Sequence, residues 1–224
     1  MPNKRKDLNI VGPNLWYLVG LITSDGCLSS DGRHVDITSK EYKFLQKIKD
    51  TFNLSNKIGT KNRNKINEAY YLQISNINFY EFLLSIGLTP NKSLKLSNLN
   101  IPKDFFVDFL RGVIDGDGSL RRWLHPTNLR EQWSLRIFSG SPLFIKWLQS
   151  TIGKYLKCQG RIHSAIRPER KNFIYTLKYG KMAARIILEK CYYGGSFGLD
   201  RKIKLANECS NSYRGWSKSK TVFN

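Results

Sequence analysis

The sequence predicts an α+β protein built from two copies of one helix–strand–strand–helix–strand–strand–helix (αββαββα) unit. The first observation is a nine-residue segment, residues 18–26 (LVGLITSDG), that recurs as residues 110–118 (LRGVIDGDG). The second is a later match in the same order, between residues 91–98 (NKSLKLSN) and 200–207 (DRKIKLAN). The third is a succession of helical and strand periodicities that runs twice along the chain. Self-similarity of this kind indicates a duplicated structural unit.

Each copy begins with an apolar helix that ends at the glycine closing its nine-residue segment. Pro13 favours a helix start in the first copy, and Pro102 does so in the second. Gly26 and Gly118 suit a left-handed residue at the end of each helix. We therefore expect two equivalent helices, each with Asp-Gly at its carboxyl end.

The remainder of each copy predicts hairpin, helix, hairpin and helix in turn. Residues 30–32 (SDG) are a turn signal, and residues 35–38 (VDIT) alternate apolar and polar as a half-buried strand does. The return strands of the second hairpins are residues 71–75 and 173–178, which alternate in the same way. A closing helix follows each of these strands, so the two copies predict the same order of elements.

We assign residues 8–98 to the first copy, residues 99–209 to the second, and residues 210–224 to a basic polar tail without assigned fold. Pro, Asn and Ser interrupt the apolar periodicity over residues 89–102, which predicts the linker.

The charge balance favours nucleic acid as the partner. Thirty-seven Lys and Arg against seventeen Asp and Glu leave a formal net charge of +20. The basic residues are spread over both copies instead of flanking one amphipathic segment, so a membrane surface is disfavoured. With no long apolar run and no signal-peptide pattern, we expect an intracellular protein, in a bacterial or archaeal cytoplasm or an organelle matrix.

The cysteines and histidines exclude several kinds of site. The four cysteines form no Cys-x-x-Cys pair, and the three histidines are scattered. This argues against zinc, redox and Ser-His-Asp chemistry.

Two acids at matching positions predict a metal site. Gly20 and Gly112 would let the two helices approach closely, which would bring Asp25 and Asp117 together at the helix carboxyl ends. Asp-Gly alone is a common turn pair. Two acids that converge, however, repel each other unless a cation neutralises them. Carboxylate oxygens at helix carboxyl ends suit Mg²⁺.

The two segments resemble the consensus motif that gives the LAGLIDADG homing endonuclease family its name. The resemblance covers residues 14–207 and indicates a single-chain member with two motifs. It implies a pseudo-twofold saddle of two antiparallel four-stranded sheets that lie in the DNA major groove, with the two motif helices at the interface. Thr23 departs from the consensus at the sixth position, whereas Asp115 keeps it. The family's metal-binding acid occupies the eighth position, which is Asp25 in one copy and Asp117 in the other.

The resemblance further implies Mg²⁺-dependent hydrolysis of a long, asymmetric double-stranded DNA target, leaving short 3′ overhangs. The backbone carbonyls of Ser24 and Gly116 would complete the ligands that Asp25 and Asp117 begin. Mn²⁺ could replace Mg²⁺, and Ca²⁺ could occupy the site without supporting cleavage. Because one chain holds both acids, we expect a monomer with no obligate protein partner.

The family also places a basic residue near each centre. Lys92 is the choice in the first copy and Lys202 in the second, although an ungapped alignment sets Arg201 opposite Lys92. The same alignment pairs Lys95 with Lys204, so the sequence leaves the choice of lysines open.

Strand alternation and loop position select the residues expected to contact DNA. Side chains that face away from the helices are Asp36, Thr38, Gln73, Ser75, Ser134, Arg136, Thr176 and Lys178. Basic residues expected in loops are Arg33, Lys61, Arg63, Arg121, Arg130, Arg161, His163, Arg167 and Arg170.

Two other functions are consistent with the same fold. An RNA maturase would tolerate loss of the motif acids, and here both are present. A non-catalytic DNA-binding regulator of this ancestry usually adds a helix–turn–helix domain, for which we expect no spare length. Flanking splicing segments of an intein are also not visible.

Overall fold

The computed structural model describes residues 11–62, 68–166 and 172–212. The first repeat consists of α1 (Gly12–Asp25), β1 (Gly26–Leu28), β2 (His34–Ser39), α2 (Tyr42–Thr51), β3 (Ile58–Asn62), β4 (Glu68–Ser75) and α3 (Ile77–Ser85). The second consists of α4 (Phe106–Asp117), β5 (Gly118–Leu124), β6 (Glu131–Ser139), α5 (Pro142–Leu156), β7 (Arg161–Ile166), β8 (Phe173–Gly180) and α6 (Lys181–Cys191), followed by α7 (Asp200–Asn211). Short 3₁₀ helices at Lys92–Leu94 and Lys103–Phe105 lie between the repeats.

The strands form two antiparallel four-stranded sheets with the same topology. The first sheet has the order β1-β2-β4-β3 and the second the order β5-β6-β8-β7. Their registers are equivalent, since Gly26 pairs with Ile37 and Gly118 pairs with Ile137. The two sheets form a saddle, and this duplicated α+β architecture confirms the predicted fold class.

The motif helices α1 and α4 pack directly against each other at two glycines. A Cβ on Gly20 would lie 2.0 Å from the carbonyl oxygen of Phe109, and a Cβ on Gly112 would lie 2.1 Å from that of Tyr17. Both distances are far below van der Waals contact. The absence of side chains at these two positions therefore permits the close approach, as the sequence predicted.

Segments of each repeat also pack onto the other repeat. Phe197, which precedes α7, contacts the rings of Tyr17, Phe44 and Phe52 in the first repeat. In the opposite direction, the Ser141 hydroxyl at the start of α5 donates to the carbonyl oxygen of Leu96. The two repeats consequently share one continuous core.

The structure corrects the expected conformation of the two motif glycines. Gly26 has φ −90° and Gly118 has φ −87°, both with extended ψ, so neither is left-handed. Each begins a strand immediately after its helix. A Cβ would lie 2.6 Å from Cα of Ile22 at Gly26 and 2.7 Å from Cα of Ile114 at Gly118. Glycine is required there for space against the last helical turn, and not for a positive φ.

The segments that resemble each other near the repeat ends fold differently. Residues 91–98 contain one 3₁₀ turn, whereas residues 200–207 lie in the twelve-residue helix α7. The helix also includes Ser210 and Asn211, which belong to the segment that the sequence left without an assigned fold. Arg185 donates to the carbonyl oxygen of Cys209 and to the Ser212 hydroxyl, so it holds the end of this helix.

Among the described residues, no helix is long and apolar enough to cross a membrane.

Candidate functional site

Asp25 and Asp117 are the last residues of α1 and α4, and the helix pairing brings these two ends together. A Cβ on Gly116 would lie 3.2 Å from Oδ2 of Asp25 and 1.9 Å from Oγ of Ser24. The Asp25 carboxylate therefore lies against the residue that precedes Asp117. Asp25 is exposed and Asp117 is half-buried, so the acids can be reached from solvent.

A buried lysine lies beside each helix end. Lys92 donates to the carbonyl oxygen of Gly26. Lys202 donates to the carbonyl oxygens of Gly118 over 2.9 Å and of Asp115 over 2.7 Å, and to that of Ile114. Gly26 and Gly118 occupy the same position in the two repeats, so the two lysines are structural equivalents.

The lysines and the acids form one electrostatic group. Burial lowers the pKa of Lys202 to about 8, and attraction to Asp115, Asp25 and Asp117 opposes that shift. Burial likewise lowers the pKa of Lys92, against attraction to Cys27, Asp117 and Asp25. Each ammonium group thus interacts with the acids of both repeats.

Asp25 has a raised pKa because protein atoms replace part of its water. Lys202 and Lys92 are the largest of the opposing influences that lower it. The residue is still open to solvent on one side, so a bound cation and its waters can reach the carboxylate.

The donor set fits a hard cation that keeps most of its water. Two carboxylates and the nearby helix-end carbonyls are all oxygen donors, the type that Mg²⁺ prefers. In the described part of the chain, no cluster of three or more His, Cys, Asp or Glu could hold a metal with protein side chains alone. The helix carboxyl ends add partial negative charge at the same place. Asp25, Asp117 and the carbonyls of Ser24 and Gly116 are the groups that could hold it.

Asp115 has a structural role that the motif comparison did not reveal. Its buried carboxylate accepts hydrogen bonds from the hydroxyls of Tyr17 (2.7 Å) and Tyr192 (2.6 Å) and from the backbone N–H of Leu199 (2.8 Å). The hydroxyl of the equivalent Thr23 donates to the Val19 carbonyl of its own helix. Asp115 thereby ties the segment before α7 to α4.

Arg111 reinforces that connection. It is fully buried in α4 and donates to the carbonyl oxygens of Cys191 and Phe197, both at 2.8 Å. Arg111 and Asp115 thus hold both ends of the connection between α6 and α7, and α7 carries Lys202. The sequence signal was available, because both residues stand in the second motif helix where the first has Val19 and Thr23.

The face of the first sheet that points away from the helices, its open face, is mixed in charge. The predicted contact residues on it are Asp36, Thr38, Lys61, Gln73 and Ser75. The Gln73 amide donates to the Asp36 carboxylate over 3.0 Å, and Lys61 lies 5.2 Å from the ring centre of Tyr71.

The open face of the second sheet is basic. The predicted contact residues on it are Arg121, Ser134, Arg136, Arg161, His163, Thr176 and Lys178. Within the described residues, the buried atoms Oγ of Ser134 and Nε of Arg136 have no hydrogen-bond partner.

Several predicted contact residues lie elsewhere than expected. Those in strands instead of loops are Lys61, Arg121, Arg161 and His163. Arg33 and Arg130 do lie in turns between strands. Arg63, Arg167 and Arg170 lie outside the described residues. The strands extend beyond the residues that alternate between apolar and polar. Backbone pairing continues there although the side-chain pattern has ended, so residues expected in loops lie in strands. Tyr71 and Trp123, which the sequence reasoning missed, share the open faces.

Comparison with known proteins identifies the fold. Residues 12–87 match the family model of a LAGLIDADG-like domain. No curated protein sequence matches the chain. The homing endonuclease I-WcaI bound to its DNA recognition sequence is similar with a TM-score of 0.63 at 11% identity, over 92% of this chain and 94% of that one. I-DmoI in complex with DNA and Ca is similar with a TM-score of 0.56 at 16% identity, over 87% and 97%.

A third similar structure has a different name. Full-length DUF199/WhiA from Thermatoga maritima has a TM-score of 0.55 at 14% identity, over 93% of this chain. The match spans 65% of the length of that protein. The first repeat thus matches the model of a LAGLIDADG-like domain, and the chain shares the two-repeat fold of I-WcaI and I-DmoI.

Proposed function

We propose that this protein is a site-specific homing endonuclease that cleaves both strands of a long, asymmetric DNA target. The observation that carries the proposal is the pair of helix-end acids, Asp25 and Asp117, each beside a buried lysine. The lysine donates to the backbone carbonyl of the glycine that follows the acid. The fold is shared with WhiA, so the fold by itself does not distinguish a nuclease from a non-catalytic binding protein.

The chemistry follows from what these groups can do to a phosphodiester. Asp25 and Asp117, with the carbonyls of Ser24 and Gly116, would hold Mg²⁺ or Mn²⁺. A divalent cation there supplies polarisation of the scissile phosphate and acidification of the attacking water.

The lysines would act on the charge of the phosphate itself. Lys92 and Lys202 are held by backbone carbonyls, so their ammonium groups are oriented before substrate arrives. Burial weakens their hydration and thereby strengthens their attraction for phosphate oxygens. Each acid and lysine pair would serve one strand, and hydrolysis on both strands would leave short 3′ overhangs.

Double-stranded DNA is the proposed partner, and several independent features support it. The chain has a formal net charge of +20, and the open face of its second sheet is basic. I-WcaI and I-DmoI, which share the fold, were solved with DNA. Because the two open faces differ, the target would be asymmetric and one chain would suffice.

Cleavage of the protein's own locus provides the test. The substrate is linear DNA spanning that locus with the coding insertion removed, incubated with Mg²⁺, with Ca²⁺ or with EDTA. We expect double-strand cleavage with Mg²⁺ alone, and loss of it in Asp25→Asn and in Asp117→Asn. Asp104→Asn, which changes an exposed acid away from the helix ends, is the matched control and should cleave normally.

Two other results would replace the proposal. Tight binding to this DNA without cleavage in Mg²⁺ or Mn²⁺ would indicate a non-catalytic DNA-binding protein. Preferential binding to an RNA transcript of its own locus, with stimulated splicing of that transcript, would indicate a maturase.

A further inference from the structure

The two open faces carry opposite chemistry at equivalent positions. In the first sheet, Asp36 on β2 pairs with Gln73 on β4; in the second, Arg136 on β6 pairs with Lys178 on β8. These pairs occupy the same register position relative to the motif glycines. A hydrogen-bonded carboxylate and amide in one repeat thus correspond to two cations in the other.

The basic row extends across three strands. Lys178 pairs on its other side with Arg161 of β7, so Arg136, Lys178 and Arg161 lie side by side. Like charges directly opposite on neighbouring strands destabilise a sheet. No acidic side chain lies among the described residues on this face, since Glu131 faces the helix side with its partner Arg122. A polyanion would relieve this repulsion.

The second sheet also offers a longer surface. Seven residues of β5 pair with β6, against three of β1 with β2. Four additional residues extend the hairpin by about 13 Å at the usual rise of a strand. Its open face adds exposed Arg121 and Trp123, and Arg130 lies at the turn.

Among the described strand residues, the open face of the first sheet has the side chains of base recognition and little net charge, with Arg33 in its β1–β2 turn. Its open face carries Lys61, and Asp36 opposes that charge. A carboxylate repels phosphates, but it can accept a hydrogen bond from the amino group of cytosine. A Gln side chain can form two hydrogen bonds with adenine. Contacts to phosphates supply affinity without sequence information, whereas contacts to base edges supply discrimination.

We infer that the two repeats divide the work of DNA binding. The second sheet anchors the duplex through phosphate contacts and supplies most of the salt-dependent affinity. The first sheet discriminates between sequences and adds little affinity. This inference rests on the proposed function only in its partner, double-stranded DNA, and does not require cleavage.

The test compares matched charge removals on the two faces. The probe is a fluorescein-labelled 40-base-pair duplex of mixed sequence in EDTA, so that no cleavage can occur. Its Kd is measured from low to high salt for Lys178→Gln, Arg161→Gln and the double variant, with Lys61→Gln as the matched change on the first sheet. Thermal melts verify that each variant is folded.

Lys178→Gln and Arg161→Gln should each reduce the slope of log K against log salt by about 0.9, and the double variant by about 1.8. Lys61→Gln should change the slope by less than about 0.3, because no phosphate contact is lost. Equal losses for Lys61 and Lys178 would overturn the division while leaving the nuclease proposal intact. A failure of the wild-type protein to bind duplex DNA would overturn both, whereas a cleavage failure with unequal slopes would affect the nuclease proposal alone.

Discussion

Lys202 Nζ lies 2.9 Å from the carbonyl oxygen of Gly118, and Lys92 makes the corresponding contact with Gly26. Each ammonium group is thus held at the backbone carbonyl of the residue that follows a motif acid. Lys202 comes from a long helix and Lys92 from a single 3₁₀ turn, so two unlike segments deliver the same group to equivalent places.

Removal of either lysine should impair cleavage of one strand more than the other. Lys202→Met and Lys92→Met keep most of the buried apolar stem and remove the charge. We expect each to slow its own strand by roughly 100-fold, the usual loss when an oriented electrostatic group is removed. Strand-specific end labels on a denaturing gel would show accumulation of nicked product, with exposed Lys103→Met as the control. Equal slowing of both strands by each variant would contradict the assignment of one lysine to each strand.

The depressed pKa of Lys202 predicts a rise of stability with pH. The folded protein releases this proton near pH 8, whereas an unfolded lysine keeps it to about 10.5. Between these values the unfolded state binds more protons, so the free energy of unfolding increases as pH rises. From pH 7 to 9.5 the wild type should gain about 2 kcal/mol relative to Lys202→Met.

Urea unfolding of the two proteins at both pH values measures this difference. Comparison with Lys202→Met cancels the contributions of titrating groups that do not interact with Lys202, and both pH values lie above the usual range of the carboxylates that do. Parallel pH profiles would mean that Lys202 titrates near its ordinary pKa in the folded state.

Gly20→Ala or Gly112→Ala should separate the two motif helices. The added Cβ would lie about 2 Å from a carbonyl oxygen of the facing helix, which cannot be accommodated by side-chain movement. We expect the free energy of unfolding to fall by at least about 3 kcal/mol, at the upper end of overpacking costs, together with loss of cleavage.

Gly153→Ala in α5 is the matched control, since its Cβ would meet nothing closer than 3.7 Å. That change should stabilise the protein by about 0.5–1 kcal/mol through helix propensity. Retention of wild-type stability in the two motif variants would rule out this helix contact.

Asp115→Ala should destabilise the protein and slow cleavage of the DNA strand that Lys202 serves more than cleavage of the other strand. It leaves the Tyr17 and Tyr192 hydroxyls and the Leu199 N–H without their acceptor, at about 1–3 kcal/mol for each buried group left unpaired. The strand served by Lys202 should then be cut more slowly than the other. Thr23→Ala, which removes a hydrogen bond within α1 only, should cost less than about 1 kcal/mol. A uniform loss on both strands would show that Asp115 supports general stability alone.

Much of the fold could be read from the order of residues. The duplication, the order of elements and the helix ends at Gly26 and Gly118 follow from periodicities that near neighbours create. The placement of Asp25 and Asp117 at the two helix ends belongs to the same local information. For these features the structure required two corrections, the conformation of the two glycines and the additional helix α7 at the end of the second repeat.

Tertiary structure decided which distant groups meet. An alignment without gaps sets Lys92 opposite Arg201, yet Lys202 occupies the equivalent place because a helix and a 3₁₀ turn present their side chains at different angles. The Asp115 cluster joins residues up to 98 positions apart, which no local pattern encodes. The sequence by itself determined the repeated elements and the acids that end two of them. Only the closed fold selected the lysines and the buried supports, since long-range contacts arise when separate elements pack.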